Sequence, residues 1–451
     1  MGRLTCIALL LFATCASVAA AAPPWSTPES VSSSALFVNT PDVVFTADGR
    51  AIATWRWSGA KPAQGDAPGG WRLAVRDPAA PEFGPERSAP NLVTPLIPYG
   101  LDRLIALDTR QPGNDESRIM LRARFGRSDG TFGSPRTIST YAPGDGTPSL
   151  AAPSGAVAAW IAKADRGRRI VRAALRSGDR FSRRPFTLRS RGRAHDVVAG
   201  AALGVQFVAW ERGGMVEARV KLQGRRRWSQ LQRLGRGRSF ATSFEVVGSG
   251  PRAYLAWLSE SAGSASMQVS VLPAGNSRFR APQALETIPR SAPAEAHPFA
   301  LVAMPDRGAL LAWTGWDGAH WRVRAAVTGG GVRFGDLFGI SPAGQNSVLG
   351  DAASAPLGTP LPGGTTMFVW SRLDAVGELG DRVQAAIRLP GGPFPPAEDV
   401  SDLDRARVPA VAFDFSKHAW TTVWSQRIGP DGPGVPLSQI TTFARSSTRP
   451  G

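Results

Sequence analysis

Short apolar stretches bounded by Gly and Pro alternate along the chain with polar, turn-rich ones, and one apolar stretch returns. It ends in a tryptophan at Trp55, Trp160, Trp210, Trp257, Trp313, Trp370 and Trp424. An eighth copy, residues 104–108, carries Asp108 where the others carry Trp. The copies recur about every 53 residues. They are short, small or β-branched, and punctuated by turn residues, which predicts strands and not helices. Two residues before the Trp position stand Ala53, Ala106, Ala158, Val208, Leu255, Leu311, Phe368 and Thr422; one before it stand Thr54, Leu107, Ala159, Ala209, Ala256, Ala312, Val369 and Val423. Side chains alternate across a strand, so these sheets are largely apolar on both faces and each needs a neighbour on either side.

A second element follows each Trp strand by some 20 to 30 residues: a turn, an aromatic, and often Pro, as at Phe83, Phe132, Phe181, Trp228, Phe279, Phe334 and Phe394. Proline suits edge strands, so these are expected outermost. An alternating strand lies between the two elements, as at residues 168–174 and 321–327, and a further strand with a Gly turn precedes each Trp strand, as at 41–49. Four strands per repeat result. The mature chain opens with Trp25, Ser26, Thr27 and Pro28, which match the outer-strand element, while the last unit, residues 408–443, lacks one. The two pieces complete one blade. On these residues the chain resembles the bacterial secreted β-propellers, which implies an all-β fold. The expectation is a single closed β-propeller of eight four-stranded blades, with the N-terminal strand as its velcro closure. Closure also hides the edges that a linear array would expose.

Arg3, an apolar run from Ile7 to Ala13 and small residues before Pro23 read as a secretory signal peptide. An uncleaved anchor and a lipidated Cys15 stay open beside it. The expected division is residues 1–22 as signal peptide, 25–445 as propeller and 446–451 as a disordered tail, with no transmembrane span in the mature chain. Both cysteines, Cys6 and Cys15, precede the mature chain, which excludes a disulfide and a thiolate metal site there. The formal charge is +17, with only 19% charged residues and lysine confined to Lys61, Lys163, Lys221 and Lys417. Arginine suits bidentate contacts to phosphate or sulfate, although coding bias yields the same composition.

If the resemblance holds, the starts of the inner strands and the loops between second and third strands share one face. The candidate ligand-binding residues there are Arg56, Trp57, Arg110, His195, Glu211, Arg212, His297, Trp316, Asp317, Arg372 and Asp374. Asp108 joins them as the departure from the repeat, since an ionisable group at a buried position needs a partner. Arg110 is a possible partner, and solvent at a degenerate strand end is the alternative. His195 and His297 sit in nonadjacent blades, too far apart to be two ligands of one ion at about 2.1 Å each. No metal and no cofactor are expected.

Sialidases resemble this chain in their aromatic hairpin, but their Asp-box pattern is approached only by residues 128–132, with broken spacing. Their tyrosine nucleophile would have to be Tyr99, Tyr141 or Tyr254. Quinoprotein dehydrogenases share the abundance of Trp, but their docking pattern and adjacent cysteines are missing. Neither a Gly-x-Ser-x-Gly elbow nor a phosphate loop occurs. The expected function is a secreted, non-catalytic binding or scaffold propeller recognising carbohydrate or an anionic cell-wall polymer, without specific nucleic-acid binding. The alternative is a glycoside-acting hydrolase or lyase of sialidase-like type, using a pair of carboxylates from among Glu211, Asp317 and Asp374.

Overall fold

The structure is a computed structural model. It describes residues 25–32, 37–58, 70–90, 92, 94–112, 117–143, 147–151, 156–164, 168–178, 180–188, 194–237, 244–261, 264–289, 299–304, 308–328, 332–335, 337–354, 364–373, 382–390, 392, 396–401, 406–414, 419–427 and 440–448. The expected signal peptide, His297 and Asp374 lie outside the described residues.

The described chain is all β and folds as successive antiparallel sheets. After β1 (Glu29–Ser30), the first sheet runs in order β2 (Phe37–Phe45), β3 (Ala51–Ser58), β4 (Gly70–Arg76) and β5 (Arg87–Ala89). Two further units follow: β6 (Ile97–Tyr99), β7 (Arg103–Arg110), β8 (Ile119–Arg127) and β9 (Arg136–Pro143), then β10 (Ser149–Ala151), β11 (Val157–Lys163), β12 (Arg169–Ser177), β13 (Arg180–Phe181) and β14 (Phe186–Leu188). Pairing of Pro143 with Ala162 fuses these two into one nine-stranded sheet. The fourth unit has β15 (Ala194–Ala202), β16 (Val205–Arg212), β17 (Met215–Leu222) and β18 (Gln232–Arg236), and the fifth β19 (Phe244–Ser249), β20 (Arg252–Ser261), β21 (Ser264–Leu272) and β22 (Gln283–Pro289). The sixth has β23 (Phe299–Ala303), β24 (Ala309–Trp316), β25 (Trp321–Val327) and β26 (Phe338–Gly339), and the seventh β27 (Asn346–Ser354), β28 (Thr366–Leu373), β29 (Arg382–Arg388) and β30 (Glu398–Asp399). In the last, β31 (Ala406–Asp414), β32 (Ala419–Arg427) and β33 (Ile440–Thr448) are completed by β1, through Glu29 opposite Ala444 and Ser30 opposite Phe443. The strand order within units is that of a β-propeller. The tail expected from residue 446 is not separate: β33 continues to Thr448, and the backbone N–H of Ser26 donates to the carbonyl of Ser446 at 2.8 Å.

The recurring Trp is the link between units. All seven are fully buried, each removing about 150–250 Å² of side-chain surface from water, on the order of 4–6 kcal/mol apiece before entropy is counted. Each reaches the unit before it. Trp160 packs with Tyr99 and Ile105, Trp210 with Val157 and Val171, Trp257 with Val205 and Phe207, Trp313 with Tyr254 and Met267, Trp370 with Ala300 and Leu310, and Trp424 with Met367 and Val369. Trp55 of the first sheet packs with Val411's neighbour Ala410 and with Val423 and Ala444 of the last. The indole N–H groups find acceptors where the sequence offers one: Glu217 for Trp210, Gln384 for Trp370, Gln426 for Trp424, Glu286 for Trp313 and the carbonyl of Arg236 for Trp257. First strands pack on first strands, and at Gly350 of β27 a side chain would collide with the carbonyl of Pro409 of β31, which only glycine avoids.

Candidate functional site

In each sheet the start of the first strand pairs with the end of the second, so the expected face is made of strand ends. There the first strands are irregular: bulges interrupt β2 between Asn39 and Asp42, β15 between His195 and Val197, β27 between Leu349 and Asp351, and β31 between Arg407 and Ala410. A bulge re-aims a side chain by adding a residue to one strand. In β15 that residue is Asp196, whose φ of 28° is the one positive value outside glycine among the described residues.

Two carboxylate groupings result. The first joins Asp42 and Asp351, on strands that both pack against β31. Asp42 accepts from the N–H of Val43 at 2.8 Å; Asp351 accepts from Ala352 at 2.8 Å and, across to β31, from Val411 at 3.1 Å. Burial pushes the Asp42 carboxyl up to about 6. The same cause, with the nearby Asp42 charge added, pushes Asp351 up to about 7. Such groups hold a proton near neutrality, as a general acid must. Asp351 was not among the expected residues. Its signal was present: Asp42 pairs with Thr54 and Asp351 with Val369, each one residue before the Trp of its sheet.

The second grouping brings together two expected residues, His195 and Glu211, with Asp196 and Arg169. Glu211 stands opposite His195 and is fully buried, its Oε1 accepting from the N–H of Gly214. Its Oε2 has no hydrogen-bond partner among the described residues. Burial raises its pKa, with Asp196 adding to the rise and His195 and Arg212 opposing it. The guanidinium of Arg169, from the preceding unit, lies 3.2 Å from the His195 ring. Arg212 turns to the other face of β16 and binds Glu217, which also accepts from Trp210 at 3.1 Å. Among the described residues no group of three or more His, Cys, Asp or Glu side chains is arranged to hold a metal ion.

The other expected residues do not converge. Arg56 is exposed on β3, and half-buried Trp57 carries the Arg72 guanidinium 4.9 Å from its ring. Arg110 is exposed at the end of β7 and is not the partner of Asp108. Asp108 is fully buried, which also overturns its placement in solvent, and is bound by Arg122 and Arg124 of β8. Trp316 packs on Trp321 with ring centroids 5.2 Å apart. Asp317 makes the following turn, accepting from the N–H groups of Ala319 and His320, which hold its pKa below the usual carboxylate range. Arg372 lies at the end of β28 opposite Arg382. Tyr99, Tyr141 and Tyr254 are all buried, and burial pushes the Tyr141 phenol up to about 12, away from what a tyrosine nucleophile needs.

No protein-family model and no curated protein matches the sequence. Among solved structures, the chain is similar to the NanB sialidase of Streptococcus pneumoniae, at 9% identity over 95% of this chain and 70% of that one, with a TM-score of 0.40. It is also similar to the β-propeller domain of the Trilobed protease from Pyrococcus furiosus, at 7% identity, 82% and 98% coverage and a TM-score of 0.41. Penicillium chrysogenum α-L-arabinanase matches at 9% identity, 94% and 98% coverage and a TM-score of 0.38.

Proposed function

We propose that the chain forms a closed ring of eight four-stranded blades, joined by β1, and acts outside the cytoplasm as a non-catalytic propeller that binds carbohydrate or an anionic polymer at its strand-end face. Seven Trp contacts, with Leu104 and Ala106 of the second unit packed on Ile52 and Leu73 of the first, support the ring, because each unit leans on the one before it and the first leans on the last. Export rests on the N-terminal sequence alone.

The observation that carries the binding reading is how the charges at that face are used. Glu217 and Asp317 are engaged within their own sheet or turn, and burial opposes charge on Glu211, whereas Arg56 and Arg110 are exposed and the rings of Trp57 and Trp316 are half-buried at strand ends. Exposed guanidinium and aromatic surface spread over several strand ends suit a polymer of sugars bearing acidic groups, which can touch more than one of them. The second reading, a hydrolase or lyase acting on glycosidic bonds, is favoured by Asp42 and Asp351, whose raised pKa values match a proton donor.

A binding screen against neutral and anionic glycans and cell-wall polymers, with Trp57→Ala and Trp316→Ala as comparisons, separates the two. Binding that weakens in these variants, with no product from any polymer, is expected. Product that disappears in Asp42→Asn/Asp351→Asn would replace the binding reading by the enzymatic one.

A further inference from the structure

A cleft of about 350 Å³ opens at the outer edge between the second and third units. One wall is Arg136, Thr137 and Ile138 of β9; the other is Arg180 and Phe181 of β13 with Arg183 just after it. Arg136, Arg180 and Arg183 are exposed, and no carboxylate lines the cleft among the described residues. Neither Arg180 nor Arg183 enters an ion pair among the described residues. Three like charges on facing walls repel one another, so this arrangement lowers the cost of bringing in an anion.

The wall is preorganised from below. Arg136 lies over Phe125 at 5.5 Å, and Arg176 lies over the opposite neighbour Tyr99 at 4.0 Å and within 6.0 Å of Phe125. Arg176 also pairs with Phe181 in the β12 to β13 register, which ties the two walls together. Ile138 is buried and Phe181 half-buried, giving the cleft an apolar floor beside its guanidinium groups. That mixture takes the apolar face of a sugar ring while the arginines take a carboxylate or sulfate on it. The volume is near the lower end of small-ligand sites, on the order of 300–1,000 Å³, so one or two sugar units fill it. A nucleic-acid strand needs exposed ring faces for its bases to stack on, and the cleft holds one ring that is half-buried.

We propose that this outer-edge cleft between the second and third units is a second binding site, taking acidic sugar units of an anionic polysaccharide through Arg136, Arg180 and Arg183. The proposal rests on the binding reading above for the class of partner and places a separate contact away from the strand-end face.

The test uses the full mature chain and dextran sulfate as probe, with neutral dextran, inorganic sulfate and single-stranded oligo(dT) beside it, at about 0.15 M salt so that diffuse attraction is screened. Arg180→Glu/Arg183→Glu reverses two exposed charges. Arg225→Glu/Arg226→Glu makes the same change in net charge on the exposed turn after β17. The expected result is a loss of affinity for dextran sulfate of about tenfold or more in the cleft variant and about twofold or less in the turn variant. Neutral dextran and inorganic sulfate bind weakly to both. Equal losses in the two variants, equal binding of neutral dextran, or tighter binding of oligo(dT) than of dextran sulfate would overturn the proposal. If the unaltered chain binds no anionic glycan, the binding reading falls with it; if it binds and the cleft variant binds equally well, only the cleft assignment falls.

Discussion

Asp108 on β7 stands directly opposite Arg122 on β8, whose Nε donates to its carboxylate at 2.8 Å, in the register position that a Trp holds in the other sheets. Arg124, two residues along on the same face, binds the other oxygen. The arrangement has a precedent within the chain, because Trp55, Trp160 and Trp313 also face an arginine of the third strand, Arg72, Arg172 and Arg324. The carboxylate therefore replaces the ring beside an arginine that the repeat already supplies. Removing it strands buried guanidinium, and Asp108→Ala is expected to cost about 3–5 kcal/mol in chemical denaturation. Adding Arg122→Ala and Arg124→Ala recovers part of that, with a coupling of about 1 kcal/mol or more. A cost below about 1 kcal/mol for the single variant would show the pair to be incidental.

The fourth unit holds two buried glutamates with opposite expectations. Glu217 accepts from Trp210 and Arg212, and Glu217→Gln is expected to lose about 3 kcal/mol by removing the charge that Arg212 faces. Burial raises the Glu211 pKa, and Glu211→Gln keeps the oxygen that accepts from Gly214, so it is expected to change stability by about 1 kcal/mol or less. Melting of the two variants side by side checks the contrast.

Asp42 and Asp351 make stability depend on pH in a definite direction. Their folded pKa values of about 6 and about 7 lie above the ordinary 3.8, so the folded state binds protons more tightly than the unfolded chain. Their contribution is fully present below about pH 4 and is lost as pH rises to about 7. Solvent screening of these half-buried groups limits it to about 1–3 kcal/mol in all. Asp48, Asp129, Asp317 and Asp399 have lowered values and act oppositely, losing stability as pH falls through the acid range below about 4. Melting temperature is expected to be highest between about pH 4 and 6, and Asp42→Asn/Asp351→Asn is expected to flatten the decline toward pH 8.

The N-terminal segment is held more by side chains than by its two-residue strand. Trp25 donates to Glu398 at 3.0 Å, Glu29 accepts from the N–H of Phe83 at 3.0 Å, and Val31 is buried with Val43 and Ala410. Deleting residues 25–32 is expected to lower the melting temperature by about 5 °C or more. Unchanged melting would contradict the closure.

The Trp strands, their order and the completion of the last sheet by the N terminus were legible in the sequence, because alternation and Gly and Pro punctuation act within a few residues. Cross-strand partners were not. Arg110 is the nearest cation to Asp108 along the strand, yet two residues on a strand span about 6.6 Å, while the residue opposite in an antiparallel pair is about 5 Å away. Arg122, fourteen positions on, is that residue. The bulges that aim Asp42 and Asp351 fall at Pro41 and Gly350, whereas that of Asp196 carries no such mark, and the Arg136, Arg180 and Arg183 cleft joins two units whose relation appears only after packing.

The central claim, binding without turnover at the strand-end face, is tested most directly by incubating the protein with a polymer that it binds and measuring the chain length of that polymer by size-exclusion chromatography. The account predicts retained binding at about 0.15 M salt and an unchanged length distribution. Shortened chains whose formation requires Asp42 and Asp351 would contradict it.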